Sequence, residues 1–92
     1  MSGLNYFHIK YETQVVTQDL KNLPRAVLQR IKSAIETKLC VDPISFGKPL
    51  RYSLKKHFRL RVGDYRIIYR VELTERTVWI VHIDHRKDVY GR

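Results

Sequence analysis

Basic residues are concentrated between positions 48 and 70 of this chain, in a stretch with the alternation typical of paired β-strands. Eight lysines and arginines stand there beside one acidic residue, Asp64. They are Lys48, Arg51, Lys55, Lys56, Arg59, Arg61, Arg66 and Arg70. Guanidinium groups bind phosphate oxygens through paired N–H donors, and ammonium groups add point charges. The cluster therefore predicts a surface that binds phosphate groups.

The sequence predicts a hairpin that sets the positions of these arginines. Residues 57–62 alternate polar and apolar, and residues 65–72 follow as a second strand after a two-residue turn at Gly63-Asp64. That turn gives a register in which the apolar faces meet, with Val62 opposite Tyr65, Leu60 opposite Ile67 and Phe58 opposite Tyr69. We therefore assign the aromatic residues of this hairpin to the core rather than to a base-stacking surface.

The same register crowds positive charges on the opposite face. Arg61 stands opposite Arg66, with Arg59 two residues along. Arg70 stands opposite His57. Like charges directly opposed on a sheet destabilise it, so we expect that only a bound anion relieves the crowding. The alternative interpretation is a solvated face that is basic because the whole protein is basic.

A second candidate cluster follows the last predicted strand, at His85, Arg86 and Tyr90. Histidine can transfer protons near neutral pH, and an arginine can stabilise developing negative charge. The tyrosine can stack on a base or share a proton, or it can simply pack over the sheet edge. His8 and His82 lie in apolar strands, and we interpret them as structural histidines outside the site.

Composition restricts the class of protein. Ninety-two residues, of which 43% are hydrophobic and 29% charged, predict one folded domain over residues 1–92. The formal net charge of +9 attracts polyanions but does not separate RNA, DNA, an anionic membrane and an acidic protein. One cysteine, and histidines without i, i+4 spacing, predict no disulfide, no metal site and a reducing, cytoplasmic location. Apolar runs are short, so we expect no membrane-spanning helix and no signal peptide.

The remaining pattern predicts an α+β fold. We expect a first strand over 4–11, a short helix over 17–22, a long amphipathic helix over 24–39 and a last, central strand over 77–83. The pair Asp42-Pro43 and the triplet Gly47-Lys48-Pro49 are typical of loops. Two N-terminal helices should therefore pack on one face of a mainly antiparallel sheet, in the order β-α-α-β-β-β.

Two segments of the chain resemble a known family. The stretch LKKHFRLRVGDYRIIYRVE, and VWIVHIDHRKDVY after it, resemble the RelE/ParE superfamily of toxins from type II toxin–antitoxin systems. The most specific parts are G-D-Y-R-I-I-Y-R and the final H-R and D-V-Y, which favour the RelE-type mRNA interferases. The resemblance covers nearly the whole chain and implies a single RelE-like domain.

The resemblance also implies an activity. Such toxins enter the ribosomal A site and cleave mRNA there, which inhibits translation until an antitoxin neutralises the toxin. The 2′-hydroxyl attacks the adjacent phosphate without metal or other cofactor, leaving a 2′,3′-cyclic phosphate and a 5′-hydroxyl. The implied catalytic residues are Arg59, Arg61, Arg66, His85, Arg86 and Tyr90. Additional RNA contacts are expected from Lys48, Arg51, Lys55, Lys56 and Arg70.

The resemblance leaves the general base open. Arg66 corresponds to the sheet arginine that stabilises the phosphate, and His85 to a position that transfers protons in some relatives. Well-described members carry lysines where Arg59 and Arg61 stand, and an arginine effectively cannot lose its proton. The candidates for the base, in order, are His85, then Tyr90, then Lys55 or Lys56.

The implied partners are an acidic cognate antitoxin, the ribosome and mRNA, and no membrane. A hetero-oligomeric toxin–antitoxin complex that binds its own operator DNA is a further expectation. Two alternatives remain, a ParE-type inhibitor of DNA gyrase and a non-catalytic basic module that binds nucleic acid. His85, Arg86 and Tyr90 together favour the nuclease, because the ParE branch generally lacks the full catalytic set.

Overall fold

The computed structural model describes residues 6–51 and 56–85 of the chain. Within these ranges five strands form one sheet: β1 (His8–Tyr11), β2 (Lys48–Pro49), β3 (His57–Val62), β4 (Tyr65–Glu72) and β5 (Thr77–His85). Their order across the sheet is β1-β5-β4-β3-β2. β1 runs parallel to β5, and the other neighbouring pairs are antiparallel. The predicted α+β fold with a mainly antiparallel sheet is confirmed, and β5 lies inside the sheet as expected.

Three helical segments connect β1 to β2. Helix α1 covers residues 13–22, with wide π-type turns over Val15–Asp19 and a tighter turn over Leu20–Asn22. Helix α2 covers residues 25–39, and α3 is the single turn Pro43–Phe46. Both predicted N-terminal helices are present, although α1 starts at residue 13 rather than 17. In the described ranges no helix has the length and hydropathy needed to cross a bilayer.

The apolar stripe of α2 packs on the sheet. Ile31, Ile35 and Leu39 are all at most 3% exposed, and Val27 packs at the margin of the same core. Residues spaced by four drift around an ordinary helix of 3.6 residues per turn. From Ile35 onward the helix widens, and the Cys40 N–H donates to the Ile35 carbonyl five residues back at 2.9 Å. The wider turn offsets the drift and keeps the stripe facing the core.

The β3–β4 hairpin has the predicted register. Val62 pairs with Tyr65 across the turn, and Phe58 pairs with Tyr69. Gly63 has φ 60°, a left-handed conformation that glycine adopts without strain. The rings of Phe58 and Tyr69 stack at 5.6 Å between centroids, and both residues are buried. These aromatic residues therefore belong to the core, as predicted.

The segment between α2 and β3 is more regular than predicted, so the assignment of its Asp-Pro and Gly-Lys-Pro motifs to loops is wrong. Asp42 Oδ1 accepts a hydrogen bond from the Ser45 N–H at 3.2 Å, and Pro43 occupies the first turn, which together start α3. Lys48 and Pro49 then pair with β3 as an edge strand. Proline is tolerated there because an edge strand leaves one side of its backbone unpaired.

Tyr69 holds this segment against the sheet. Its hydroxyl donates to the Pro43 carbonyl at 2.7 Å from a fully buried position. Burial, with a smaller contribution from the negative charge of Asp42, raises the pKa of Tyr69 well above its usual value, so the hydroxyl stays a donor. Gly47 lies against the same ring, and a Cβ there would overlap the hydroxyl oxygen and approach Cζ to 2.8 Å.

This contact predicts a non-additive pair of substitutions. Gly47→Ala should destabilise the protein by about 1–3 kcal/mol through overpacking. Tyr69→Phe should cost about 1–2 kcal/mol, because the Pro43 carbonyl loses its buried donor. The double variant should lose less than the sum, since removing the hydroxyl removes the closer of the two overlaps with the new methyl group. Urea unfolding of the four proteins measures this, and strictly additive losses would contradict the proposed contact.

Candidate phosphate-binding site on the open sheet face

The sheet has one face under α2 and an opposite, open face that carries the arginines. In β3 the buried residues Phe58 and Leu60 alternate with Arg59 and Arg61, of which Arg61 is exposed. Residues directly opposite each other on neighbouring strands share a face, so the register of the ladder lines up the open-face side chains in rows across the strands.

The row nearest the hairpin turn contains the predicted arginine pair. Arg61 on β3 stands opposite Arg66 on β4, and Arg66 stands opposite Asp84 on β5. The second predicted pair, Arg70 opposite His57, is also confirmed. The sequence therefore located both charge contacts of the hairpin correctly.

The expectation that only a bound anion relieves the crowding is wrong for Arg66. Its Nε lies 3.5 Å from Asp84 Oδ1, and the two side chains are only 16% and 15% exposed. A carboxylate of the protein itself thus balances Arg66 from the neighbouring strand. The last strand continues two residues beyond its predicted end at residue 83, which brings Asp84 into the sheet.

The second row is positive without a carboxylate beside its cations. Lys48 on β2 stands opposite Arg59, Arg59 stands opposite Ile68, and Ile68 stands opposite His82. In the part of the chain that the structure describes, Lys48, Arg59 and Arg61 have no carboxylate within 4.0 Å. The open-face cations of β2 and β3 are therefore not compensated by any described carboxylate.

Arg70, in the third row, is held by the protein. Its guanidinium lies 2.7 Å from Glu72 Oε2 and 3.9 Å from Glu12 Oε2. It also stacks over the ring of Trp79 at 5.3 Å from the ring centroid, and Lys10 Nζ lies 5.6 Å from the same centroid. These contacts fix Arg70 in the framework of the sheet and balance its charge.

A bulge in β5 decides which of its residues reach the open face. Ile80 pairs with Tyr69, but the next residue of β4, Ile68, pairs with His82 rather than with Val81. The extra residue shifts the alternation of every residue after it. His82 and Asp84 consequently lie on the same face as the arginines.

His85 lies at the predicted end of the sheet but on the opposite face from the arginines. It pairs with Tyr65, and the two rings meet edge to face at 4.8 Å between centroids. Tyr65 packs against the helix-covered core, so His85 shares that face. His85 therefore ends β5 next to the row of Arg61 and Arg66 but faces away from these arginines, because the bulge shifts the alternation of β5.

The structure describes only some of the other predicted site residues. Arg51 and Lys56 are exposed on either side of the segment that precedes β3. Lys55, Arg86 and Tyr90 lie outside the described residues. Within the described ranges no three His, Cys, Asp or Glu side chains converge as metal ligands would.

Sequence reasoning missed the acidic side of the site. His82 Nδ1 lies 2.9 Å from Asp19 Oδ2, and His82 Nε2 lies 3.3 Å from Asp84 Oδ2. His82 therefore has protein partners, as expected of a structural histidine, but it lies on the face of the arginines rather than outside the site. Its partners come from α1 and from a strand residue that straight alternation would have placed on the other face, so the sequence carried no signal for this arrangement.

Both the sequence and the fold of this chain are similar to those of known proteins. Residues 11–90 match the family described as the ParE toxin of the type II toxin–antitoxin system parDE. The chain belongs to the RelE/ParE superfamily of toxins. Among curated members, it is 38% identical to Toxin RelG of Mycobacterium tuberculosis over 80 residues, covering 87% of this chain and 92% of the relative.

Further members of the superfamily extend the comparison. Toxin RelE of Mycobacterium tuberculosis is 31% identical over 90 residues, covering 98% of this chain and 92% of the relative. The toxin–antitoxin complex RelBE2 from the same organism contains a chain that superposes with a TM-score of 0.81 at 33% identity, covering 89% of this chain and all of that one. The isolated Escherichia coli RelE toxin shares the fold with a TM-score of 0.68 at 22% identity, covering 95% of this chain and 93% of that one.

The charge balance predicts unequal contributions to polyanion binding. Arg61→Gln should weaken binding of a single-stranded RNA oligonucleotide and reduce the slope of log affinity against log salt by about 0.7, the value for one phosphate contact. Arg70→Gln should change both less, because two glutamates already balance Arg70. Fluorescence titrations at several salt concentrations measure both quantities, with thermal unfolding as a control. Equal effects of the two substitutions would contradict this assignment.

Proposed function

We propose that this protein is a ribosome-dependent endoribonuclease that cleaves mRNA in the ribosomal A site and thereby inhibits translation. The observation that carries the proposal is the arrangement of Arg59, Arg61 and Arg66 on one open face, with the first two uncompensated by any described carboxylate. The membership of a toxin superfamily and the relatives named RelE and RelG support it.

The proposed chemistry is mainly electrostatic. The 2′-oxygen of one nucleotide bonds to the adjacent phosphorus, the bond from phosphorus to the 5′-oxygen breaks, and a 2′,3′-cyclic phosphate and a 5′-hydroxyl result. Negative charge grows on the phosphate oxygens in between, where guanidinium donors bind most strongly. The ribosome supplies alignment of the mRNA, which converts the attack into a step between groups already in position.

The reaction also needs a group that accepts the proton of the 2′-hydroxyl. Arg59 and Arg61 cannot accept the proton of the 2′-hydroxyl near neutral pH. The first candidate for this role is His85, which would act past the end of β5, because its ring lies against Tyr65 on the face opposite the arginines. Single-turnover cleavage by His85→Ala at the native rate, with a native pH profile, would transfer the role to Tyr90, or else to Lys55 or Lys56.

A second candidate function is inhibition of DNA gyrase. It is favoured by one observation, that the matched family is described as the ParE toxin. A gyrase inhibitor needs a binding surface but no arginine aligned with a scissile phosphate. Supercoiling assays with purified gyrase and cleavage assays on mRNA-programmed ribosomes therefore distinguish the two functions.

Arg66 provides the sharpest test of the nuclease. Arg66→Ala should slow cleavage of ribosome-bound mRNA by about two to three orders of magnitude, the usual loss when one preorganised donor to a transition state is removed. Arg25→Ala, an exposed arginine on α2, is the matched control and should cleave at the native rate. Arg66→Ala that still cleaves normally would contradict the assignment, and wild-type protein that inhibits gyrase without cutting mRNA would favour the second function.

We further propose a cytoplasmic acidic antitoxin as the physiological partner. The net charge of +9 and the uncompensated cations of β2 and β3 require an inhibitor with negative charge over the open face. The similar chain in the Mycobacterium tuberculosis RelBE2 structure is itself part of a toxin–antitoxin complex.

The antitoxin proposal predicts a competition. Copurification should yield a partner of low pI, and its complex with the toxin should no longer bind single-stranded RNA, because both ligands need the same cations. The Arg59→Glu/Arg61→Glu variant should lose affinity for the partner by at least about tenfold, through like-charge repulsion at an interface. A basic partner, or one whose complex binds RNA as the free toxin does, would contradict the proposal.

A further inference from the structure

We propose that Asp19, His82 and Asp84 form a positioning chain that sets the orientation of the Arg66 guanidinium. The proposal rests on the function proposed above in one respect only, the role of Arg66 at the phosphate. His82 is then a positioning residue, which acts through Asp84 and does not itself touch RNA.

The four side chains follow one another in an unbroken row of contacts. Asp19 Oδ2 lies 2.9 Å from His82 Nδ1, and His82 Nε2 lies 3.3 Å from Asp84 Oδ2. The other oxygen of Asp84, Oδ1, lies 3.5 Å from Arg66 Nε. A ring N–H of His82 donates to the carboxylate that it faces, so the imidazole links the two acids.

The far end of this chain is anchored to the backbone. Asp19 Oδ2 also accepts a hydrogen bond from the Ile83 N–H at 3.0 Å, and Gln14 Nε2 donates to the Val81 carbonyl at 3.3 Å. Helix α1 thus supplies hydrogen bonds to β5 beyond Tyr11, where β1 ends and the edge of β5 would otherwise lack partners. Because Asp19 is only 13% exposed and tied to the strand, it is a fixed reference for His82.

A simple edge-capping role does not explain the whole arrangement. Capping the edge needs Asp19 and Gln14, but it does not need the contacts that lead on from His82 to Asp84 and Arg66. Those contacts run across the open face, from α1 along β5 toward the arginine pair. Because these contacts end at Arg66, we infer that they orient its guanidinium group.

The chain leaves the phosphate-binding end of Arg66 available. Asp84 contacts Nε, and the two terminal nitrogens of the guanidinium have no bond to any residue among 6–51 and 56–85. A fork-like contact with a phosphate uses parallel N–H donors in one plane. Holding Nε fixes that plane before RNA arrives, so less side-chain freedom is lost on binding.

Two substitutions of His82 separate the two halves of the chain. An asparagine amide reaches about as far as Nδ1, whereas a glutamine amide reaches about as far as Nε2, so His82→Asn can keep the contact with Asp19 and His82→Gln the contact with Asp84. The readout is the order parameter of the Arg66 Nε–H in arginine-labelled protein, assigned from the signal that Arg66→Lys removes. His8→Asn, on the exposed face of β1, is the matched control.

We expect Arg66 Nε–H to be rigid in the wild type, in His82→Gln and in His8→Asn. It should become mobile in His82→Asn and in Asp84→Asn, with an order parameter below ~0.6, the range of flexible groups. A wild-type Arg66 as mobile as Arg25, or equal order in His82→Asn and His82→Gln, would overturn the proposal. This measurement needs no RNA and no ribosome, so its outcome is independent of whether the protein is a nuclease.

Cleavage kinetics add a test of how His82 acts. His82→Asn should slow single-turnover cleavage by about tenfold without weakening ribosome binding, while His82→Gln should restore most of the rate. In an Arg66→Ala background the same substitution should have no further effect, because residues that act through one another are not additive. An additional loss of about tenfold in that background would show that His82 acts independently of Arg66 and would overturn the positioning role.

Discussion

The alternation of β4 is the constraint on which the rest of the structure depends. One strand must supply fully buried Ile67 and Tyr69 to the core under α2, and it must present Arg66 and Arg70 on the opposite face. Because β4 lies in the middle of the sheet, both of its edges are occupied, and neither arginine can move away to the sheet's edge. Carboxylates close to β4 must therefore balance the arginine charges, or leave them for a ligand.

The two arginines of β4 are balanced, whereas those of β3 are not. Asp84 stands beside Arg66, and Glu72 and Glu12 stand beside Arg70. On the other side of the hairpin, Arg59 and Arg61 have no such neighbour among the described residues. On the open face, the arginines of β4 thus have partner carboxylates, whereas the arginines of β3 have none among the described residues. This division suits a surface that must orient one phosphate and attract a longer polyanion.

The core and the site share their supports. Tyr69 stacks on Phe58, and its hydroxyl holds the turn after α2 through the Pro43 carbonyl. That turn leads into β2, which places Lys48 beside Arg59. The basic row on β2 and β3 therefore depends on a buried aromatic residue on the other side of the same sheet. Loss of this packing should disturb polyanion binding as well as stability.

The sequence by itself determined the elements whose patterns are local. A two-residue turn at Gly63-Asp64 leaves one register for the hairpin, and this register places Arg61 opposite Arg66. The spacing of Ile31, Ile35 and Leu39 likewise identified the face of α2 that packs on the sheet. These inferences succeed because turn geometry and side-chain periodicity act over a few residues.

Only the tertiary structure decided what surrounds Arg66. The bulge at Val81 shifts the alternation of β5, which turns His82 and Asp84 to the arginines and His85 to the helix-covered face. Because β5 carries apolar residues on both faces, the periodicity of its sequence does not reveal this shift. Asp19 reaches the same site across 63 positions of sequence. Such contacts arise from the way that α1 packs beside β5, and no local pattern of residues encodes them.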